Sequence, residues 1–134
     1  MKMTYLLLVL LAALLFVLTG CAFAKKAGNK AEYTRISQEE AKEMMGRDDG
    51  HIIVDVRRQD EYDAGHIPGA ILIPNESIGS EAPVALPDYD QIILIYCRSG
   101  NRSKQASEKL AAMGYTNIYE FGGINTWTGE IVKE

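Results

Sequence analysis

QIILIYCRSGNRSKQASEKLAAMG, residues 91–114, decides how this chain folds. Ile92 to Tyr96 is the most apolar run after the first twenty residues and is rich in β-branched side chains, as a strand buried on both faces requires. That places it near the centre of a sheet. From Ser103 to Met113 the period changes: Ala106, Leu110 and Met113 share one helical stripe, while Lys104, Gln105, Ser107, Glu108 and Lys109 are predicted to face water. Gly114 follows as a helix-terminating residue. Only Arg98, Ser99, Gly100, Asn101 and Arg102 separate Cys97 from that helix. A strand reverses into a helix over so short a distance by curling its backbone. Gly100 takes a positive φ at little cost, and Asn101 is among the better non-glycine residues for it.

A curled loop feeding a helix N-terminus aims several N–H groups at one point. Cys97 stands at that point. The amide dipoles, with the charge of Arg98 and Arg102, favour the thiolate and move its pKa downward, the environment of a nucleophile. The alternative is a cysteine that merely finishes a buried strand. The Arg-Ser-Gly-Asn-Arg turn with a helix behind it favours the nucleophile.

Working outward, Tyr33 to Ile36 predicts a first strand, and Ser37 with Glu40 forms a capping box for a helix burying Ala41, Met44 and Met45. HIIVDV (51–56) is a second strand, followed by a short acidic helix around Asp60 to Ala64, the turn AGHIPGA, and a third strand near Ile71 to Ile73. NIYEF (117–121) supplies a fifth strand, and GGINTW a closing turn with a short helix. This alternation implies an α/β fold: a mostly parallel five-stranded sheet flanked by helices on both faces. Ligands in such sheets sit where strands end and helices begin, which is where Cys97 stands.

The 134 residues leave room for one domain, at 47% hydrophobic and 24% charged. A formal charge of −4 argues against nucleic acid as a partner. MKMTYLLLVLLAALLFVLTGC carries Lys2, an apolar run from Tyr5 to Leu18, and small residues before Cys21. Residues 1–20 read as a secretory signal, and Leu18-Thr19-Gly20-Cys21 resembles the bacterial lipobox, in which the cysteine is lipidated. An uncleaved anchor and an ordinary signal peptide remain the alternatives. Residues 21–32 then form a lipidated cysteine and tether, with Lys25, Lys26 and Lys30 able to lie on anionic headgroups or in solvent, and residues 33–134 form the domain. The expected location is the extracytoplasmic side of a bacterial envelope. With Cys21 lipidated, Cys97 has no cysteine left to pair with inside the chain.

Four motifs occur in order: DVRRQDEYDAGHIPGA (55–70), Asn75, YCRSGNRS (96–103) and GYTNIYEFGGINTW (114–127). Together they resemble the rhodanese-like single-domain sulfurtransferases over Tyr33 to about Ile131. The resemblance implies that Cys97 accepts a sulfane sulfur as a persulfide from an anionic donor such as thiosulfate. A thiol or cyanide acceptor then removes it, with no metal and no organic cofactor. It also implies that Arg98, Ser99, Gly100, Asn101, Arg102 and Ser103 form the loop that cradles the sulfur. Arg98 and Arg102 have the guanidinium geometry for sulfonate-like oxygens, and either can instead point to solvent or clamp the loop from behind. Asp55 and Arg57 are expected as a buried pair supporting that loop, Glu61 as an anchor for backbone or an arginine, His66 as a turn residue, and Phe121 and Trp127 as core or pocket wall.

Two other readings compete. Phosphatases and arsenate reductases of related fold hold an oxyanion in a Cys-x5-Arg loop. Here four residues separate Cys97 from Arg102, a smaller ring that suits one sulfur atom better than a phosphate. A persulfide or redox carrier with little turnover is the other.

Overall fold

The computed structural model describes residues 32–134. The signal segment 1–20, Cys21 and the tether up to residue 31 lie outside the described residues. Five strands, β1 (Thr34–Arg35), β2 (Ile52–Asp55), β3 (Ile71–Leu72), β4 (Ile92–Cys97) and β5 (Asn117–Gly123), pair in the order β1-β5-β4-β2-β3. Every pairing within the sheet is parallel. β4 is the central strand, as its unbroken hydrocarbon demands: Ile93, Leu94, Ile95 and Tyr96 have no exposed surface.

Among the described residues, three α-helices cover the sheet: α1 (Gln38–Met45), α2 (Gln59–Ala64) and α3 (Asn101–Met113). Side chains alternate across a strand, so each strand feeds two cores. Ile93, Ile95 and Cys97 of β4 and Ile118 of β5 pack with Ala106, Leu110 and Ala111 of α3. Leu94 and Tyr96 of β4 and Phe121 of β5 pack on the other face with Ala41 and Met44 of α1 and Tyr62 of α2. Helices therefore lie on both faces. Single-turn 3-10 helices follow at Asn75–Ser77 and Ile124–Thr126.

α1 starts at the predicted capping box, with the Ser37 hydroxyl accepting from Glu40 N at 3.1 Å and Glu40 Oε2 accepting from Ser37 N at 2.8 Å. Its buried residues are Ala41 and Met44; Met45 is half-buried.

The helix after Cys97 differs from expectation in two ways. It begins at Asn101 rather than Ser103, because Gly100 alone, at φ 105°, makes the reversal. Asn101 is therefore helical and does not take a positive φ. The buried stripe is also wider than the three apolar residues indicated. Ser103 and Ser107 are fully buried beside Ala106, Leu110 and Ala111, so Ser107 does not face water. A helix lying on a sheet buries a stripe at least 100° wide, and small hydroxyl residues fit it as closely as alanine. Lys109 is half-buried, its Nζ donating to the Asn75 carbonyl at 2.9 Å and to Asn75 Oδ1 at 3.1 Å.

Candidate active site

Cys97 is the last residue of β4, and 1% of it is exposed. Its Sγ accepts the Gly100 N–H at 3.0 Å and lies 3.5 Å from the Ser103 hydroxyl. Burial pushes the Cys97 pKa up, but the Ser103 hydroxyl and the N–H groups of Ser103, Gly100 and Ser99 outweigh it and bring it below the ordinary thiol value. The main-chain nest is thus what the short loop was expected to build.

The two arginines take separate roles, each among the alternatives left open by the sequence. Arg102 is occupied by a carboxylate: its Nη1 and Nη2 donate to the two oxygens of Glu61 at 2.7 and 2.9 Å, which ties the first turn of α3 to α2. Glu61 also accepts from the Arg58 N–H at 3.1 Å, so it anchors both an arginine and backbone. The Arg102 hydrogen bonds, opposed by burial and helped by Arg58 N, bring its pKa down to about 2. Arg98 is exposed and forms no side-chain ion pair within 4.0 Å among the described residues. It lines a recess of about 380 Å³ with Arg57, Arg58, Glu61 and Asn125. A second recess on the other flank, about 330 Å³, is lined by Arg35, Ser99, Gly122 and Asn125 among others. A third recess, about 430 Å³ beside Lys42, Ile67 and Trp127, includes no residue of the 97–103 loop.

Asp55 and Arg57 form the expected buried pair, with Arg57 Nη2 on Asp55 Oδ2 at 2.7 Å and Arg57 Nε on Oδ1 at 3.0 Å. Arg57 Nη2 also reaches the Gly65 carbonyl at 2.7 Å, fixing the following turn. His66 is buried in that turn, its ring stacked on Tyr62 at 3.7 Å and its Nδ1 2.9 Å from the Tyr62 carbonyl. Phe121 is core, and Trp127 is half-buried against it at 5.7 Å between ring centroids.

One buried charge escaped the sequence reading. Ile118 and Glu120 lie two residues apart on β5 and so share the face that α3 covers. Glu120 has no exposed surface, and its Oε1 accepts the Ser103 hydroxyl at 2.7 Å and the Gly122 N–H at 2.8 Å. The signal was present: a carboxylate within an otherwise apolar strand pattern, in phase with an inward isoleucine.

A parallel α/β sheet with a cysteine at the C-terminal end of its central strand, its sulfur accepting a loop amide, defines a class of α/β proteins with a thiol in the loop after the central strand. Residues 37–130 match the rhodanese-like domain, and the chain belongs to that family. It is 38% identical over 71 residues to the thiosulfate sulfurtransferase PspE of Escherichia coli, covering 53% of this chain and 68% of that protein. It is 37% identical over 98 residues to the thiosulfate sulfurtransferase GlpE of Pseudomonas entomophila, covering 72% and 86%. A solved structure described as a rhodanese with anions from E. coli superposes with a TM-score of 0.58 at 34% identity, covering 63% of this chain and 99% of that one.

Proposed function

We propose that this protein is a sulfurtransferase of the thiosulfate type that works through a persulfide on Cys97. The observation that carries the reading is the Gly100 N–H held 3.0 Å from a sulfur whose pKa is lowered by hydrogen-bond donors despite its burial. The Cys97 thiolate attacks the outer sulfur of thiosulfate; the S–S bond of the donor breaks and sulfite leaves with its electron pair. The terminal persulfide sulfur then carries the negative charge, and the amides that favoured the thiolate stabilise it. Attack by cyanide or a thiolate on that outer sulfur returns Cys97. Arg98, exposed at the mouth of the arginine-lined recess, suits the donor's oxygens better than Arg102, whose fork is occupied by Glu61.

Residues 1–20 serve as a lipoprotein signal, Cys21 carries the lipid, and residues 21–32 tether the domain of residues 33–134 to a membrane on the extracytoplasmic side of a bacterial envelope. This rests on the lipobox-like ending and the apolar run alone.

Incubating the protein with thiosulfate and measuring intact mass tests the chemistry. One added sulfur atom is expected, absent in Cys97→Ser, followed by thiocyanate formation on adding cyanide. No sulfur uptake would overturn the reading, and uptake without turnover would leave a persulfide carrier. Hydrolysis of an aryl phosphate without sulfur uptake would point to a phosphatase.

A further inference from the structure

Ser103 has one hydroxyl proton and, besides the Gly100 and Gly122 carbonyls at 3.0 and 3.4 Å, two titratable neighbours that can take it. Its Oγ lies 2.7 Å from Glu120 Oε1 and 3.5 Å from Cys97 Sγ. With Cys97 as thiol, the chain is complete: S–H donates to Ser103 Oγ, and Ser103 O–H donates to the Glu120 carboxylate. With Cys97 as thiolate and Glu120 still ionised, the hydroxyl can serve only one of two buried anions, and the other loses its side-chain donor. A third arrangement satisfies all three groups. If Glu120 carries the proton on Oε1, it donates to Ser103 Oγ, and Ser103 donates to the thiolate.

We propose that Cys97 and Glu120 share a single proton across the Ser103 hydroxyl, so that the sulfur becomes anionic while its proton stays inside the protein on Glu120. The transfer balances without outside help. The Cys97 S–H bond breaks as that proton moves to Ser103 Oγ, the original Ser103 proton bonds to Glu120 Oε1, and the net charge of the trio remains −1. The site then meets an anionic donor with one buried negative charge rather than two.

The surroundings of the trio are consistent with this role. Gly122 N–H holds Oε1 at 2.8 Å, which fixes the carboxyl plane. Oε2 is buried without a hydrogen-bond partner, although Arg35 Nε stands 3.5 Å away on β1. Arg35 is two-thirds exposed, and its charge is screened by solvent. Tyr33, at the start of the described chain, has its phenol pKa raised first by burial and then by the charges of Glu108 and Glu120. On the Cys97 side the charged neighbour is Arg102, whose guanidinium is held by Glu61. The loop rests directly above the carboxyl: a Cβ on Gly100 would stand 3.8 Å from Oε1. Glu120 acts through Ser103 and is a positioning residue for the nucleophile.

The inference rests on Cys97 being a working thiolate, and its test is independent of sulfur transfer. The rate of Cys97 alkylation by iodoacetamide is measured against pH for the full chain. Two groups sharing one proton titrate in two macroscopic steps. The wild type is expected to rise in two steps with a plateau between, because a proton moving within the pair is indifferent to bulk pH. Glu120→Gln is expected to rise once and, across the plateau range, to react faster by up to roughly tenfold, the equivalent of one pKa unit. Ser103→Thr keeps the hydroxyl and the plateau; Ser103→Ala loses the plateau. A wild-type profile that coincides with that of Glu120→Gln in a single step overturns the proposal. So does a plateau that survives in Ser103→Ala, and this second comparison decides if Glu120→Gln does not fold by circular dichroism. Failure of sulfur uptake with a two-step alkylation profile would sink the sulfurtransferase reading and leave the shared proton standing.

Discussion

At the scale of single residues, the site depends on two glycines for different reasons. Gly100 sits at φ 105° and turns the chain so that its own N–H meets Cys97 Sγ. Gly123 has an ordinary φ of −133°, but a Cβ there would lie 2.1 Å from the Arg98 carbonyl oxygen and 2.6 Å from Ser99 Cα. Neither neighbour is a flexible side chain, so the loop itself must move. Gly123→Ala is therefore expected to cost about 3 kcal/mol of stability or to displace the loop and slow Cys97 alkylation. Gly79→Ala is the control, since nothing lies within 4 Å of a Cβ at that position. Urea melts and alkylation rates of both variants check this; a Gly123→Ala protein matching wild type on both measures contradicts it. The loop residues were legible in the sequence because short spacing forces the curl. The contact between Gly123 and the loop was not, since it depends on β5 gaining one residue relative to β4 between Ile95–Glu120 and Cys97–Gly123.

Between elements, the joint that matters is α2 to α3, made by Glu61 and Arg102. Arg102 looked in the sequence like a donor-binding residue or a clamp, and the bidentate pair makes it the clamp. Sequence spacing showed that the arginine was near the sulfur, but the partner that occupies it lies 41 residues away, beyond any local pattern. The pair has a pH signature. The Glu61 pKa is about 2 when folded against an ordinary 4.5, so the unfolded chain binds the proton first. The stabilisation is complete above about 4.5 and is lost as pH falls toward 2. The Glu61 side chain is 18% exposed, so solvent weakens the pair only in part, and a contribution of about 1–3 kcal/mol is expected. Glu61→Gln should be less stable than wild type at neutral pH by that amount and should lose less on acidification between those two values. Denaturation midpoints at several pH values measure it, and parallel acid limbs in the two proteins would refute it.

For the whole molecule, parallel pairing fixes a direction that no single element carries. All five strands start at one end of the sheet and finish at the other. Cys97 lies at the finishing end of β4, whereas the described chain enters β1 from the starting end, after Tyr33. Unbroken apolar strands and strand–helix order made this polarity legible from sequence, because crossover helices impose parallel strands. The strand order, with β1 beside β5 at one edge, was not, because two residues of β1 carry too little pattern to choose a neighbour. If Cys21 is lipidated as proposed, the anchor joins a described chain that begins at the end opposite the sulfur, and the active loop is expected to face away from the bilayer. Lys25, Lys26 and Lys30 would then lie on the headgroup side and Arg98 on the aqueous side. Cys97 of the lipidated protein bound to anionic vesicles should therefore react with a water-soluble alkylating agent at the rate of the detergent-solubilised protein, within about twofold. Slowing by tenfold or more on the vesicle would mean that the loop faces the membrane, and would overturn this orientation.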